Sequence, residues 1–420
     1  MKIWDFFSKK NEVDLLLSKV ASDFDDEREE ALEVLSKINL SVNEGVKVIL
    51  AATKKYRPAK YQWQTVESEL LNICFRKPHF EYISKLLEVY DSLEPKAKLT
   101  TMDFFATYDN EEALKAYLKL LDKDCDKLSS LPIGSLYNNP RRGEVLFPNL
   151  LKYTDNKNIT PDIYLVLLGF FSSGKIDEGY IVEYKKQIIE DIRTYVDKVL
   201  DYKIESDVSL WEDEEYCNLR SNAGIYFDLA GYIDDENVIF ELKKLMCCKD
   251  DKLKMFAYIS LLRLGEEMEK DEALKIASCS EIRNFFYGNL QSLGREDLYP
   301  EQYKKQEYFA EADMVNWLVY PTELGGVPDK IELMEIFDTG EEEYYLFRFK
   351  CDTSESWSEC GWMAGVSGPY DKADKPSVSA GGCTFSRFEA WSEKKPEDHF
   401  KDIVGNIQTY WKKRAEDFKS

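Results

Sequence analysis

The chain has 420 residues and a formal net charge of −23, with 79 acidic against 56 basic side chains. A chain of this length exceeds the size at which a single hydrophobic core usually keeps growing, so we expect two or more domains. Nucleic acids are bound through lysine and arginine patches, so the excess of carboxylates argues against a nucleic-acid-binding protein and favours a basic protein partner.

Three further features of the sequence predict a cytoplasmic protein without a membrane span. The first ten residues include Asp5 and contain no long apolar stretch, so they do not resemble a signal peptide. The longest apolar run, from Ile163 to Phe171, has nine residues, whereas a transmembrane helix needs about 20. Nine cysteines at irregular spacing indicate no disulfide framework, as expected for a reducing compartment.

Apolar residues follow the helical period of 3.6 over most of residues 1–300. Asp25 to Glu30 place negative charge at the first turn of an early helix, as the helix dipole favours. Prolines and glycines interrupt the pattern over residues 129–149, which we expect to form a long loop between two helical halves. The N-terminal domain, residues 1–300, is therefore predicted to be entirely helical.

Successive turns between predicted helices from residue 221 to residue 295, which we call corners, share one residue pattern. In each corner a leucine and a glycine are followed closely by charged residues that begin the next helix. The corner glycines are Gly231, Gly265 and Gly294, which are 34 and 29 residues apart. Such a period is typical of stacked helical pairs. Over about residues 218–295 these corners resemble the short HEAT-like repeats of the phycobilisome-lyase type. The resemblance implies an α-solenoid that acts as a binding scaffold rather than a particular chemistry.

A second domain of the α+β class is predicted over residues 308–420, where the apolar period changes from 3.6 to 2. In the candidate strand from Tyr344 to Lys350, Tyr345, Phe347 and Phe349 face one way. The other candidate strands are Val315 to Tyr320, Ile331 to Phe337, Trp362 to Val366 and Cys383 to Trp391. A final helix with an apolar stripe from Phe400 to Trp411 is expected to cover one face of this antiparallel sheet.

The most acidic segment supplies the predicted partner-binding site. Between Asp201 and Glu241 there are 12 acidic and two basic residues. We expect two acidic groups in this segment, Glu212 to Glu215 and Asp234 to Glu236, to lie on one rim of the solenoid and to bind a basic protein through charge complementarity. The alternative is that the first group is only the solvated start of a helix. The predicted site consists of Trp211, Glu212, Asp213, Glu214, Glu215, Tyr216, Asp234, Asp235 and Glu236.

Residues suited to catalysis or metal binding are scarce. The chain has two histidines, His79 and His399, and Cys383 with His399 is the best nucleophile and base pair. The spacing of Cys351, Cys360, Cys383 and His399 matches no zinc knuckle. We therefore predict no catalytic residue, metal or cofactor. The expected function is a non-enzymatic interaction scaffold, for example an immunity or antitoxin-like protein that masks a basic toxin. The alternative is a hydrolase or transferase with a site around Cys383 and His399.

Overall fold

The computed structural model shows a mostly helical chain followed by a four-stranded antiparallel sheet and a final helix, which confirms this coarse architecture. By internal contacts the chain divides into two compact units, Met1–Tyr184 and Lys185–Ser420. Among the described residues, no helix is long and apolar enough to cross a membrane. The structure describes residues 3–57, 65–137, 142–203, 210–374, 376–379 and 384–417.

The described part of the first unit is helical throughout. Its helices are α1 (Ile3–Val20), α2 (Asp25–Lys37), α3 (Val42–Ala51), α4 (Val66–Phe75), α5 (Glu81–Val89), α6 (Pro95–Thr107), α7 (Glu111–Asp124), α8 (Gly143–Leu146) and α9 (Thr160–Ser172). The single turn of α8 lies inside the segment predicted as a loop. Helix α9 is buried on nearly all sides, with Ile163, Leu167 and Phe170 inaccessible to solvent. The apolar run therefore forms a buried core helix.

The second unit begins with helices that pack in an alternating order. They are α10 (Lys185–Asp201), α11 (Glu214–Ala230), α12 (Glu236–Leu245), α13 (Asp251–Arg263), α14 (Lys270–Ser278), α15 (Arg283–Ser292) and α16 (Gln306–Leu318). Helix α10 packs against α11 and α12, α11 packs against α13, and α13 packs against α14 and α15. Helices of this unit thus pack both against the next helix and against the next but one. Whether these helices form a HEAT-like solenoid stays a prediction.

Two of the predicted corners are helix C-caps that require glycine. At the end of α13, Gly265 has φ +83°, and its N–H donates to the Leu262 carbonyl at 3.1 Å. The Glu266 N–H donates to the Leu261 carbonyl at 3.0 Å. This pair of bonds is the Schellman motif, which satisfies the last carbonyls of a helix. Gly294, with φ +65°, ends α15 in the same way.

The sheet consists of β1 (Lys330–Asp338), β2 (Glu342–Lys350), β3 (Met363–Asp371) and β4 (Phe385–Arg387), in that order and all antiparallel. Helix α17 (Pro396–Asp417) follows. One sheet face, with Tyr345, Phe347 and Phe349, packs against α16. The opposite face, with Leu346, packs against Ile403 of α17. The predicted alternation of β2 and the predicted covering helix are both confirmed.

The predicted first strand, Val315 to Tyr320, is wrong. Its residues up to Leu318 belong to α16, which starts at Gln306. This helix is buried on two sides, because Met314 packs against the sheet while Phe309 packs against the preceding helices. A helix buried on two sides shows no clear amphipathic stripe. The last predicted strand is shorter than expected, since β4 spans Phe385–Arg387 and residues 380–383 lie outside the described residues.

Candidate partner-binding site

Trp211 and Glu212 form contacts within the protein. The Glu212 carboxylate accepts hydrogen bonds from the Ser354 hydroxyl at 2.6 Å and from the Glu355 N–H at 3.0 Å. The Ser354 hydrogen bond holds the pKa of Glu212 below its ordinary value. A Cβ atom on Gly326 would lie 2.6 Å from the Trp211 ring, so glycine allows the ring to pack there. Through these contacts Trp211 and Glu212 hold the segment before α11 against loops next to the sheet.

Asp213 and Tyr216 stabilise the start of α11. The Asp213 side chain accepts a hydrogen bond from the Tyr216 N–H at 3.0 Å, which makes it the N-cap of the helix. It also accepts a hydrogen bond from the Tyr202 hydroxyl at 2.6 Å, and this bond lowers the pKa of Asp213. Tyr216 is buried and its hydroxyl donates to Asp250. These two predicted site residues are thus engaged in intramolecular bonds.

Glu214 and Glu215 differ from the four residues around them. Both occupy the first turn of α11 and both are exposed. Within the described ranges the structure records no ion pair to either carboxylate. The helix dipole favours negative charge at this end of a helix. They are the members of the predicted segment that are available to a partner.

Glu215 lines a groove of about 670 Å³ between α10 and α11. Its lining includes three carboxylates, those of Asp197, Asp201 and Glu215, and one lysine, Lys198. The remaining lining residues are Thr194, Tyr195, Tyr202, Asn218, Leu219 and Asn222. Carboxylates beside aromatic rings form the environment in which lysine and arginine side chains bind. We call this feature the α10–α11 groove.

The ring of Tyr195 shows that the α10–α11 groove already accommodates a cation. Lys198 places its Nζ 4.7 Å from the centre of that ring. On the other side, Tyr195 stacks on Tyr226 with 4.0 Å between ring centres. Asp197 accepts a hydrogen bond from Lys244 at 3.1 Å. A partner cation would therefore compete with weak, exposed internal pairs, which are easily exchanged.

A buried ion cluster supports the wall of this region, and the sequence analysis did not identify it. Arg220 of α11 donates through Nε to Asp250 at 2.6 Å and through its terminal nitrogens to Glu281 at 2.7 and 2.8 Å. The side chains of Arg220, Asp250 and Glu281 are 10%, 7% and 6% exposed. Trp211 covers the guanidinium, with 4.8 Å to the ring centre. The available signal was a single arginine within a strongly acidic segment.

The second predicted acidic group lies at the other end of α11. Asp235 is the N-cap of α12 and accepts a hydrogen bond from the Asn237 N–H at 2.9 Å, while Glu236 is exposed. Helix α11 has 17 residues, so at 1.5 Å per residue it separates this group from Glu214 by about 25 Å. That separation is about three Debye lengths at physiological ionic strength. The two groups therefore lie at opposite ends of one helix, and their joint action on one partner stays a prediction.

Comparisons with protein-family models, characterised proteins and solved structures found no match. The resemblance to HEAT-like repeats therefore stays a prediction.

The predicted nucleophile and base pair is described only in part. Cys383 lies outside the described residues. His399 is 1% exposed, its Nε2 lies 3.1 Å from the Trp391 carbonyl oxygen, and its ring stacks on Trp391 at 4.9 Å. Among the described residues there is no group of three or more metal-ligating side chains. The hydrolase or transferase alternative stays a prediction.

Proposed function

We propose that this protein is a non-catalytic binding protein that holds a basic partner protein in the α10–α11 groove. The observation that supports this proposal is that Glu215 lines the groove and that both it and Glu214 are exposed, with no ion pair recorded to either within the described residues. The groove adds Asp197 and Asp201 against one lysine, Lys198, so its lining has a negative net charge. A lysine or arginine side chain of the partner would receive carboxylate contacts and an aromatic face together.

The charge of the whole chain acts in the same direction. A net charge of −23 attracts a basic protein over distances longer than direct contact and raises the rate of association. The carboxylates of the groove then select the bound orientation, because a wrongly docked partner would leave charges unpaired. An immunity or antitoxin-like protein that masks a basic toxin or nuclease is the concrete form that we propose. The stacked helices of the second unit supply a rigid wall for this groove.

Neutralising Glu214→Gln and Glu215→Gln together is expected to slow association with the partner by about tenfold at low ionic strength. The dissociation rate should change less, because exposed charges mainly steer the encounter. The partner is first obtained by chemical cross-linking in the native cell. Association rates are then measured by stopped-flow fluorescence at low and physiological salt.

A matched control is Glu29→Gln with Glu30→Gln, which removes two adjacent exposed carboxylates from α2. This control changes the net charge equally, so it should reproduce only the general effect of charge. Equal association rates for the two double variants at both salt concentrations would show that the groove has no special role.

A further inference from the structure

Strand β1 forms one edge of the sheet. Eight of its nine residues pair with β2, and no other strand of the described chain lies on its outer side. The backbone N–H and C=O groups of alternate residues therefore point away from the sheet. Another extended chain can form hydrogen bonds with this whole row of backbone groups, as in β-strand addition. We therefore expect any occupant of the edge to bind as a strand.

The outer part of β1 carries an exposed apolar stripe. Leu333 is 36% exposed and Ile336 is 44% exposed. In the register with β2 they lie opposite Phe347 and Tyr345, which face α16, so both belong to the same sheet face. The β-bulge at Met334 keeps these two residues on one face although they are three positions apart. An added strand would cover this stripe with apolar side chains of its own.

The same edge is strongly acidic on its other face and at its end. Glu332 is paired with Arg348 at 2.7 Å, and Asp338 is paired with Lys372 at 2.5 Å. Within the described residues, the structure records no ion pair to three further carboxylates. These are Glu335, Glu341 and Glu342. Lys330 is the single basic residue between positions 330 and 342, so the edge has a net charge of −4 from five acidic residues and one lysine.

We propose that the β1 edge binds an extended segment of a partner protein as a fifth strand. This segment carries apolar residues on the face shared with α16 and lysine or arginine on the face shared with α17. Glu335 lies opposite Leu346, which packs against α17, so it meets the basic face of the segment. The bulge divides the backbone hydrogen bonds that an added strand would form with β1 into two short series. Side-chain contacts would therefore contribute much of the specificity. This proposal does not depend on the α10–α11 groove.

A second copy of this chain is not the occupant that the edge favours. Antiparallel pairing of two β1 strands would place the unpaired Glu335 side chains near the centre of the new ladder. It would also bring the acidic edges of both copies together. Like charges across neighbouring strands are destabilising. Charge complementarity therefore favours a basic strand over self-association.

The test uses a defined probe, a blocked and fluorescently labelled heptapeptide of alternating lysine and valine. We expect it to bind the full-length protein, as measured by fluorescence anisotropy. A control peptide with proline in place of each valine has the same charge but cannot pair as a strand, and should bind at least tenfold more weakly. The protein variant Leu333→Glu with Ile336→Glu should also bind the lysine–valine peptide at least tenfold more weakly.

This protein variant adds negative charge, so attraction by charge alone would strengthen binding where strand addition predicts weakening. Phe240→Glu with Phe285→Glu adds the same charge at two exposed positions elsewhere and should not weaken binding. Glu214→Gln with Glu215→Gln, which tests the groove, should leave binding of this peptide unchanged. Absence of binding to the parent protein, equal binding of the proline peptide, or retained binding by the Leu333→Glu and Ile336→Glu variant would each overturn the proposal.

Discussion

Replacing Arg220 with methionine is expected to lower the free energy of unfolding by about 3–5 kcal/mol at pH 7. Methionine retains much of the apolar volume but removes the charge that faces Asp250 and Glu281. Both carboxylates are buried, at 7% and 6% exposure. Without the guanidinium Asp250 would be a buried charge that has lost its ion pair, and Glu281 would keep the pair with Lys252 at 3.2 Å. Removing one partner of a buried ion pair is the costly way to break it. Urea denaturation measures this difference.

The effect of this substitution should depend on pH in a defined direction. Burial raises the pKa of Asp250, but the Arg220 guanidinium outweighs burial and holds that pKa below its ordinary value. A carboxyl with a lowered pKa stabilises the protein above its unfolded-state pKa of about 3.9, and this contribution is lost as the pH falls. In the variant the guanidinium no longer opposes burial, and the hydrogen bonds from Tyr216 and the Leu253 N–H remain as the opposing effects. Asp250 is therefore protonated at higher pH than in the parent, and protonation relieves part of the cost of burying its charge. The difference between variant and parent should therefore shrink between pH 7 and pH 4.5.

Arg295→Met provides the control, because Arg295 is 38% exposed and its partner Asp297 is 61% exposed. Exposed pairs contribute about 0–1 kcal/mol, so this variant should unfold close to the parent. If Arg220→Met unfolded within about 1 kcal/mol of the parent at pH 7, the cluster would not hold the helices together as we infer.

The second large effect is expected at Gly231, where α11 ends. A Cβ atom there would lie 2.7 Å from the Ser260 Oγ and 2.9 Å from the Ser260 Cα. Ser260 of α13 is fully buried and donates a hydrogen bond to the Phe227 carbonyl at 2.7 Å. Because a backbone atom is involved, α11 and α13 would have to move apart. We expect Gly231→Ala to lower the free energy of unfolding by about 2 kcal/mol, as measured by urea denaturation.

Gly288→Ala is the matched control in the interior of α15, where an added Cβ meets no atom within 4 Å. Alanine is a better helix former than glycine, so this variant should gain about 0.5–1 kcal/mol. A Gly231→Ala variant that gained stability in the same way would show that α11 and α13 do not approach as closely as the structure indicates.

Structural features that depend on residues close together in the sequence could be predicted from the sequence. The alternation of Tyr345, Phe347 and Phe349 defined one face of β2, and Gly265 and Gly294 marked helix ends. The strand prediction at Val315 to Tyr320 failed because α16 is buried between the sheet and other helices, which removes the period that identifies a helix. Tertiary packing determined that element, and local pattern could not show it.

Within the candidate site, the sequence predicted correctly the exposure of residues that make no bond to distant parts of the chain. Glu214 and Glu215 are exposed, as their charge suggests. Glu212 carries the same charge but is bound by Ser354, which is 142 positions away in the sequence. Asp213 and Tyr216 likewise bond to residues 11 and 34 positions away in the sequence, Tyr202 and Asp250. Hydrogen bonds between residues so far apart leave no local pattern in the sequence. The sequence analysis therefore assigned partner binding to all of these residues, although some of them form hydrogen bonds within the protein.

Hydrogen exchange of the protein, free and in complex with the cross-linked partner, tests the central claim most directly. Backbone amides report which surface a partner covers. The proposed function predicts slower exchange in the complex over residues 194–201 at the end of α10 and 214–222 at the start of α11. Unchanged exchange in both segments, with protection elsewhere in the described chain, would contradict binding at the α10–α11 groove.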